Sequence, residues 1–141
     1  MPPKNEFIPT NFNILPKDDE SSKKPILLQS WNDSDLWYKK DDKFERPKAI
    51  VNMKLYSNDC MFGRTPASRV FVEMWNNILQ EYLREFYYMG QMASLHAKSS
   101  IYHDNYNLEW SGYNDTLPLF VEETIKKIKE MNVADQREYF D

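Results

Sequence analysis

One stretch of the sequence, from Thr65 to Gly90, constrains the fold more than any other. Large apolar residues recur through it with the 3.6-residue period of a helix. Thr65 can cap the first turn, Pro66 suits the first helical position, and Gly90 can end the helix with a positive φ. We therefore predict one long helix over residues 66–89. Its apolar face comprises Val70, Phe71, Met74, Trp75, Ile78, Leu79, Tyr82, Leu83 and Phe86, and its polar face Arg69, Glu73, Asn76, Asn77, Gln80 and Arg84.

A lone helix cannot bury such a face, so the rest of the chain has to supply strands that cover it. A first hairpin is predicted around the turn sequence Asn32–Asp35. One strand candidate, residues 26–31, precedes this turn, and a second strand begins after it at Leu36. Residues 49–56 alternate in polarity, as a half-buried strand does. Residues 95–102 and 106–111 also alternate and predict an antiparallel hairpin, with its turn at Asp104-Asn105 and one apolar face.

The C-terminal part of the sequence predicts a further helix, capped at Thr116 or Leu117 and running to about Met131. Its apolar stripe is formed by Phe120, Val121, Ile125 and Ile128. Asp135 then marks the start of a third helix, in which the sequence stops. We expect from this that the chain is cut from a longer one. The elements together predict an α+β fold.

The composition and charge of the chain limit the partners and the location that we expect for it. The net charge of -4 arises from interspersed charges, so no nucleic-acid partner is expected. The residues after Met1 are polar, and no apolar run reaches the roughly 18 residues needed to span a membrane, so we expect a soluble, cytoplasmic chain without a membrane partner. Cys60 is the only cysteine and is expected to be an inert free thiol.

We find no constellation of catalytic or metal-binding residues. His96 and His103 are seven apart on one predicted strand, so they would point to opposite faces and could not share a metal. The adjacent acids Asp18-Asp19 and Asp41-Asp42 point apart on an extended chain. No zinc-peptidase motif, phosphate loop or nucleophile elbow is present. We therefore predict no catalytic, cofactor-binding or metal-binding residue, and we favour core packing over a partner groove for the aromatic and Met residues of the long helix.

Three stretches resemble a known family. Residues Asn5–Pro16 (NEFIPTNFNILP), Leu36–Ala49 (LWYKKDDKFERPKA) and Gly112–Asp115 (GYND) are similar, in order and spacing, to segments of the insulysin/pitrilysin family of zinc metallopeptidases. The resemblance implies an enzyme of two homologous halves that close around a chamber in which short peptides are cut. Zinc in that family lies in the first half, on an inverted His-x-x-Glu-His motif that this sequence lacks, so this chain should hold no zinc and be inactive alone.

The resemblance also implies a place for each part of the chain. Residues 1–24 resemble the end of the first half, 25–48 a connector with a hairpin, and 49–141 the start of the second, non-catalytic half. The expected architecture is an incomplete two-layer sandwich, a mainly antiparallel sheet with helices on one face. Its expected partners are the zinc-bearing first half and, through the full-length enzyme, peptide substrates.

One alternative from another functional class stays open. The chain could be a stand-alone binding or scaffold module of the same fold without peptidase activity. An inverted zinc motif upstream of Met1 would distinguish the two hypotheses.

Overall fold

The computed structural model describes residues 4–14, 24–41, 43–57 and 65–135. The elements, in chain order, are β1 (Ile26–Ser30), β2 (Asp35–Tyr38), β3 (Lys48–Tyr56), α1 (Pro66–Tyr82), α2 (Arg84–Met92), β4 (His96–Ile101), β5 (Asn105–Tyr113), α3 (Leu117–Glu130) and a 3₁₀ turn (Val133–Asp135). They form two compact units: residues 13–47 are one, and residues 4–12 fold with 48–135 to make the other. The predicted α+β class is confirmed.

The first unit contains the predicted hairpin. β1 and β2 pair antiparallel, from Ile26 opposite Tyr38 to Ser30 opposite Asp35. The amide of Trp31 donates to the carbonyl of Ser34 at 2.8 Å, which closes the turn where the sequence places Asn32–Asp35. The hairpin prediction is therefore confirmed.

The larger unit is built on a three-stranded antiparallel sheet in the order β3-β5-β4. Along the central strand β5, alternate residues from Tyr106 to Gly112 are buried, as the sequence alternation predicts. Leu108 and Trp110 pack with Leu79 of α1 and Phe120 of α3 in one core. The helices thus cover one face of the sheet, and the expected two-layer arrangement is confirmed.

The turn between β4 and β5 differs by one residue from the prediction. Ile101 pairs with Tyr106, and the amide of Tyr102 donates to the carbonyl of Asn105 at 2.8 Å. The two turn residues are therefore His103 and Asp104, and the turn predicted at Asp104-Asn105 is wrong. The reason is the register, because Asn105 already pairs with Tyr56 of β3 as the first residue of β5.

The predicted long helix is in fact two helices that meet at Leu83. The cap at Thr65 is confirmed, since its hydroxyl accepts the amide of Ser68 at 3.1 Å. Leu83 is buried, and its backbone ψ angle is -1°. Hydrogen bonds nevertheless continue across it, since its amide donates to the carbonyl of Leu79 and its carbonyl accepts the amide of Tyr87. No Gly or Pro stands at this break, so the local sequence carries no signal for it, and Leu83 itself is part of the core.

Gly90 lies inside α2 rather than at its end, so the predicted C-terminal cap is also wrong. An added Cβ at Gly90 would stand 2.6 Å from Cε2 of Phe120. The glycine is therefore required by the close approach of the Phe120 ring, and the backbone turn with positive φ after α2 falls on Ser94.

The buried face of α1 is rotated relative to the predicted one. Ser99 Oγ and the Tyr106 hydroxyl both donate to Asn76 Oδ1, at 2.7 and 2.8 Å, and Gln80 Nε2 donates to Ser99 at 2.9 Å. Asn76 and Gln80, predicted to face solvent, thus lie half-buried against the sheet. Val70, Phe71 and Met74, predicted to be buried, are exposed instead. Core packing is confirmed only from Trp75 onward.

α3 follows its prediction closely. Thr116 precedes the helix, Pro118 lies in its first turn, and the helix ends at Glu130, one residue before the predicted end. Phe120 is fully buried, and Thr124, which the apolar stripe had not included, is buried beside it with its hydroxyl donating to the Phe120 carbonyl at 2.7 Å. The third helix predicted beyond Asp135 lies outside the described residues. Across the described residues, none of the helices is both long enough and apolar enough to span a membrane.

Candidate functional site

The most specific set of contacts in the larger unit holds its N-terminal segment in place. We call residues 4–12 the strap and residues 48–135 the body. Across the described residues, the strap contains no helix or strand of its own. It lies across the body from the end of α2 to the end of β5, and both side chains and backbone amides of the strap make the contacts.

The first contact point is Asn5. Its side-chain amide Nδ2 donates to the carbonyl of Met89 at 2.8 Å. Carbonyls in the last turn of a helix lack an intrahelical partner, so Asn5 satisfies one of these groups in α2. Its Oδ1 accepts the amide of Phe7 at 3.0 Å, which turns the strap toward the body.

Phe7 is the central contact. Its side chain is 7% exposed and meets Phe86 and Phe120 edge-on, with ring centroids 5.5 and 5.3 Å apart. Phe86 and Phe120 in turn stack on each other at 5.2 Å with an interplanar angle of 12°. Edge-to-face pairs of this kind add attraction beyond the burial of apolar area. Phe7 therefore joins α2 and α3 as a core residue.

The third contact point is the carboxylate of Asp115, directly before α3. Its Oδ2 accepts the backbone amides of Thr10 and Asn11 at 2.8 and 3.0 Å, and the Thr10 hydroxyl at 3.4 Å. We call this arrangement the Asp115 clasp. The amide bonds from Asn11 and then Thr10 hold the pKa of the Asp115 carboxyl below its ordinary value. Beyond the clasp, the exposed ring of Phe12 meets Tyr113 edge-on at 5.2 Å.

The clasp makes a prediction about pH. Because the pKa of Asp115 is lower in the folded than in the unfolded chain, its contribution to stability is present above the unfolded value, near pH 4, and is lost as pH falls through the folded value. Asp115→Asn cannot titrate and has only a neutral acceptor. We expect the variant to melt at a lower temperature than the wild type above about pH 5, and the gap to close below about pH 4.

The control for this prediction is Glu122→Gln, which removes one negative charge from the exposed surface of α3. Its melting temperature should stay close to that of the wild type. A gap between wild type and Asp115→Asn that is constant from pH 3 to pH 7 would contradict the clasp. Amide exchange of Thr10 and Asn11, faster in the variant, is an independent readout.

The strap brings together two of the three stretches on which the family resemblance rests. Asn5–Pro16 supplies the strap, and Gly112–Asp115 supplies the carboxylate that binds it. The sequence prediction assigns these stretches to separate parts of the chain and gives the carboxylate of Asp115 no role. One signal was available, namely an Asp with an uncommitted carboxylate just before a helix, which often accepts backbone amides.

Of the polar residues singled out from the sequence, the structure describes His96, His103 and Asp41, whereas Asp18, Asp19 and Asp42 lie outside the described residues. His96 begins β4 and is exposed, whereas His103 lies in the turn beyond its far end, so the prediction that both lie on one strand is wrong for His103. Cys60 lies outside the described residues. Within the part of the chain that the structure describes, no three His, Cys, Asp or Glu side chains are grouped so that they could hold a metal.

An apolar groove of about 830 Å³ lies between β3 and α3. Ala49 and Val51 line it from the strand, Val121 and Ile125 from the helix, and Lys126 and Lys129 stand at its margin. Among the described strands, β3 pairs only with β5, so its other edge is free. An open groove beside a free edge is what an incomplete domain presents.

Comparison with known proteins gives the family of the chain. Residues 1–140 match the family described as the middle or third domain of peptidase M16. The chain is 33% identical over 139 residues to human insulin-degrading enzyme, covering 97% of this chain and 13% of that protein. It is 33% identical to peroxisomal insulin-degrading enzyme-like 1 of Arabidopsis thaliana, covering 97% of this chain and 14% of that protein. It is 30% identical to nardilysin of Pongo abelii, covering 94% of this chain and 11% of that protein. The chain thus spans about an eighth of the length of these relatives and belongs to the M16 peptidase family, as part of its middle or third domain.

Proposed function

We propose that this chain is the non-catalytic middle part of an insulysin-type zinc metalloendopeptidase, in which it joins the two halves and helps enclose short peptides in a closed chamber. The observation that carries the proposal is the Asp115 clasp. The clasp binds residues 4–12 to the segment 49–141. Residues 4–12 belong to the segment 1–24, which we assign to the end of the first half. We assign the segment 49–141 to the start of the second half. Residues 25–48 are the connector between them.

The sheet supports the proposed role in enclosing peptides. Its face opposite the helices carries polar side chains on all three strands, among them Asn52, Lys98 and Asn107. Within the described residues, the side-chain oxygen of Asn107 is buried without a hydrogen-bond donor. Such a face can offer acceptors and donors to a peptide backbone. One relative is named for the degradation of insulin, which supports peptides as the substrate class.

The proposal places zinc in the first half of the full-length enzyme and assigns none to this chain. The donor residues described here do not fit a zinc site, because no three of them are grouped. The proposal assigns no catalytic step to this chain. A cytoplasmic location is part of the proposal and does not follow from family membership, since one relative is named as peroxisomal.

The purified chain provides the first test. We expect no zinc-dependent cleavage of short peptides and no stoichiometric zinc, measured by peptide hydrolysis with and without chelator and by metal analysis. Hydrolysis that survives repeated purification and disappears with chelator would contradict the proposal. Because β3 has a free edge, we also expect the chain to associate at high concentration, which light scattering measures.

The full-length enzyme provides the sharper test of the joining role. Asp115→Ala removes the acceptor of the clasp and lies outside the proposed zinc half. We expect slower peptide cleavage with unchanged zinc content, while Glu122→Gln leaves both unchanged. Full activity of Asp115→Ala would show that the clasp does not join the halves.

The alternative of a stand-alone binding or scaffold module is tested by the native transcript. A reading frame that continues upstream to an inverted His-x-x-Glu-His motif supports the peptidase. A stop codon upstream, with Met1 as the true start, would leave the module as the function.

A further inference from the structure

The strap is bound to the body in the way a peptide ligand is bound to a receptor. The strap and the body belong to one compact unit, although residues 13–47, which connect them in the chain, form another. Where the structure describes it, the strap has no regular secondary structure, and it contacts the body through the side chains of Asn5 and Phe7 and through the backbone amides of Thr10 and Asn11. Its place is therefore fixed by specific anchors.

The anchors have a defined spacing. Asn5 bonds the end of α2, Phe7 enters between Phe86 and Phe120, and the amides of Thr10 and Asn11 bond Asp115. Ile8, directly beside Phe7, points away and is 57% exposed. The body thus distinguishes neighbouring positions of the strap.

The receptor groups belong to elements that other contacts hold in place. Phe86 and Phe120 stack on each other, and Phe120 also contacts Tyr87 at 6.1 Å. Phe120 is fully buried, and Thr124 bonds its carbonyl within α3. The surface that meets the strap is therefore organised by residues of the body, and such preorganisation lowers the cost of ordering the receptor when a peptide binds.

We propose that the body recognises the strap as a short linear motif, Asn-x-Phe-x-x-Thr, followed by one more free backbone amide, and binds an extended peptide carrying this motif without the covalent connection through residues 13–47. The inference rests on the strap contacts alone and holds whether or not the parent protein is a peptidase. The occupant is the strap sequence itself, delivered as a separate segment.

The test uses the full chain, with a protease recognition sequence inserted between residues 15 and 24 and cut after folding. A fluorescent peptide of residues 4–14 is then added. We expect the cut N-terminal piece to remain bound during gel filtration, and the labelled peptide to displace it with saturable binding measured by anisotropy. Immediate loss of the piece together with no binding of the labelled peptide would overturn the proposal.

Variants are placed in the peptide only, so that folding of the body is not affected. Phe7→Ala should weaken binding about 100-fold or more, because it removes the one buried side chain of the motif. Ile8→Ala is the matched control and should bind as the parent peptide does. Equal competition by both variant peptides would show that the binding is unspecific and would also overturn the proposal.

Discussion

Replacing Phe7 by Ala is expected to lower the free energy of unfolding by about 3 to 5 kcal/mol, a loss usual for deleting a buried aromatic ring. Phe7 is 7% exposed and meets both Phe86 and Phe120 edge-on. Without its ring, the stacked pair loses its cover on one side and a cavity opens between α2 and α3. Urea denaturation followed by circular dichroism measures the change.

Phe12→Ala is the matched control, since it removes the same ring from the same strap. Phe12 is 52% exposed, and Tyr113 is the ring it contacts. We expect a loss of about 1 kcal/mol for an exposed aromatic pair of this kind. Similar losses for the two variants would contradict the assignment of Phe7 to the core.

The importance of Phe7 could not have been predicted from its local sequence. It stands in a proline-punctuated segment without periodicity, and its partners lie far along the chain on two different helices. Periodic patterns report which face of an element is buried, but they carry no signal for a single residue that enters a core from an irregular segment. Asp115 lies 105 residues from Thr10 in the chain, so the local signal of an Asp before a helix does not identify its partner.

Where the determinants are local, prediction from the sequence succeeded. The cap at Thr65, the strand alternation from Tyr106 to Trp110 and the place of Pro118 in the first turn of α3 each depend on neighbouring residues, and each is found in the structure. The break at Leu83 has no such local signal, and the rotation of α1 depends on tertiary contacts. The side chain of Asn76 accepts two hydroxyl donors from the sheet, and this turns a polar residue toward the core and leaves Phe71 71% exposed.

Family membership and local chemistry contribute different parts of the functional argument. The comparisons establish the family, whereas the contacts of the strap show what two of the resembling stretches do physically. Asn5–Pro16 contributes a buried ring and two amides, and Gly112–Asp115 contributes a carboxylate and a glycine. The role of that glycine leads to the second large effect.

Gly112→Ala is expected to lower the free energy of unfolding by about 2 to 5 kcal/mol, from backbone strain and overpacking together. Gly112 has φ of 154°, which side-chain-bearing residues rarely adopt. An added Cβ would run into Cδ2 of Leu95 and stand 2.8 Å from the carbonyl oxygen of Ser94. Leu95 is fully buried, so its side chain cannot move into solvent, and the carbonyl belongs to the backbone turn before β4.

The sign of the change in the free energy of unfolding decides whether Gly112 is strained. At a position with relaxed geometry, Gly→Ala stabilises a protein by about 0.4 to 1 kcal/mol because it reduces the entropy of the unfolded chain. Ser111→Ala, one residue earlier on the other face of β5, is the control and should change stability by no more than about 0.5 kcal/mol. If urea denaturation found Gly112→Ala as stable as the wild type, the close approach of Leu95 and Ser94 to Gly112 would be refuted. The expected loss of stability would instead mean that Gly112 is required at the point where β5 meets the start of β4. That point lies three residues before Asp115, whose carboxylate binds the strap.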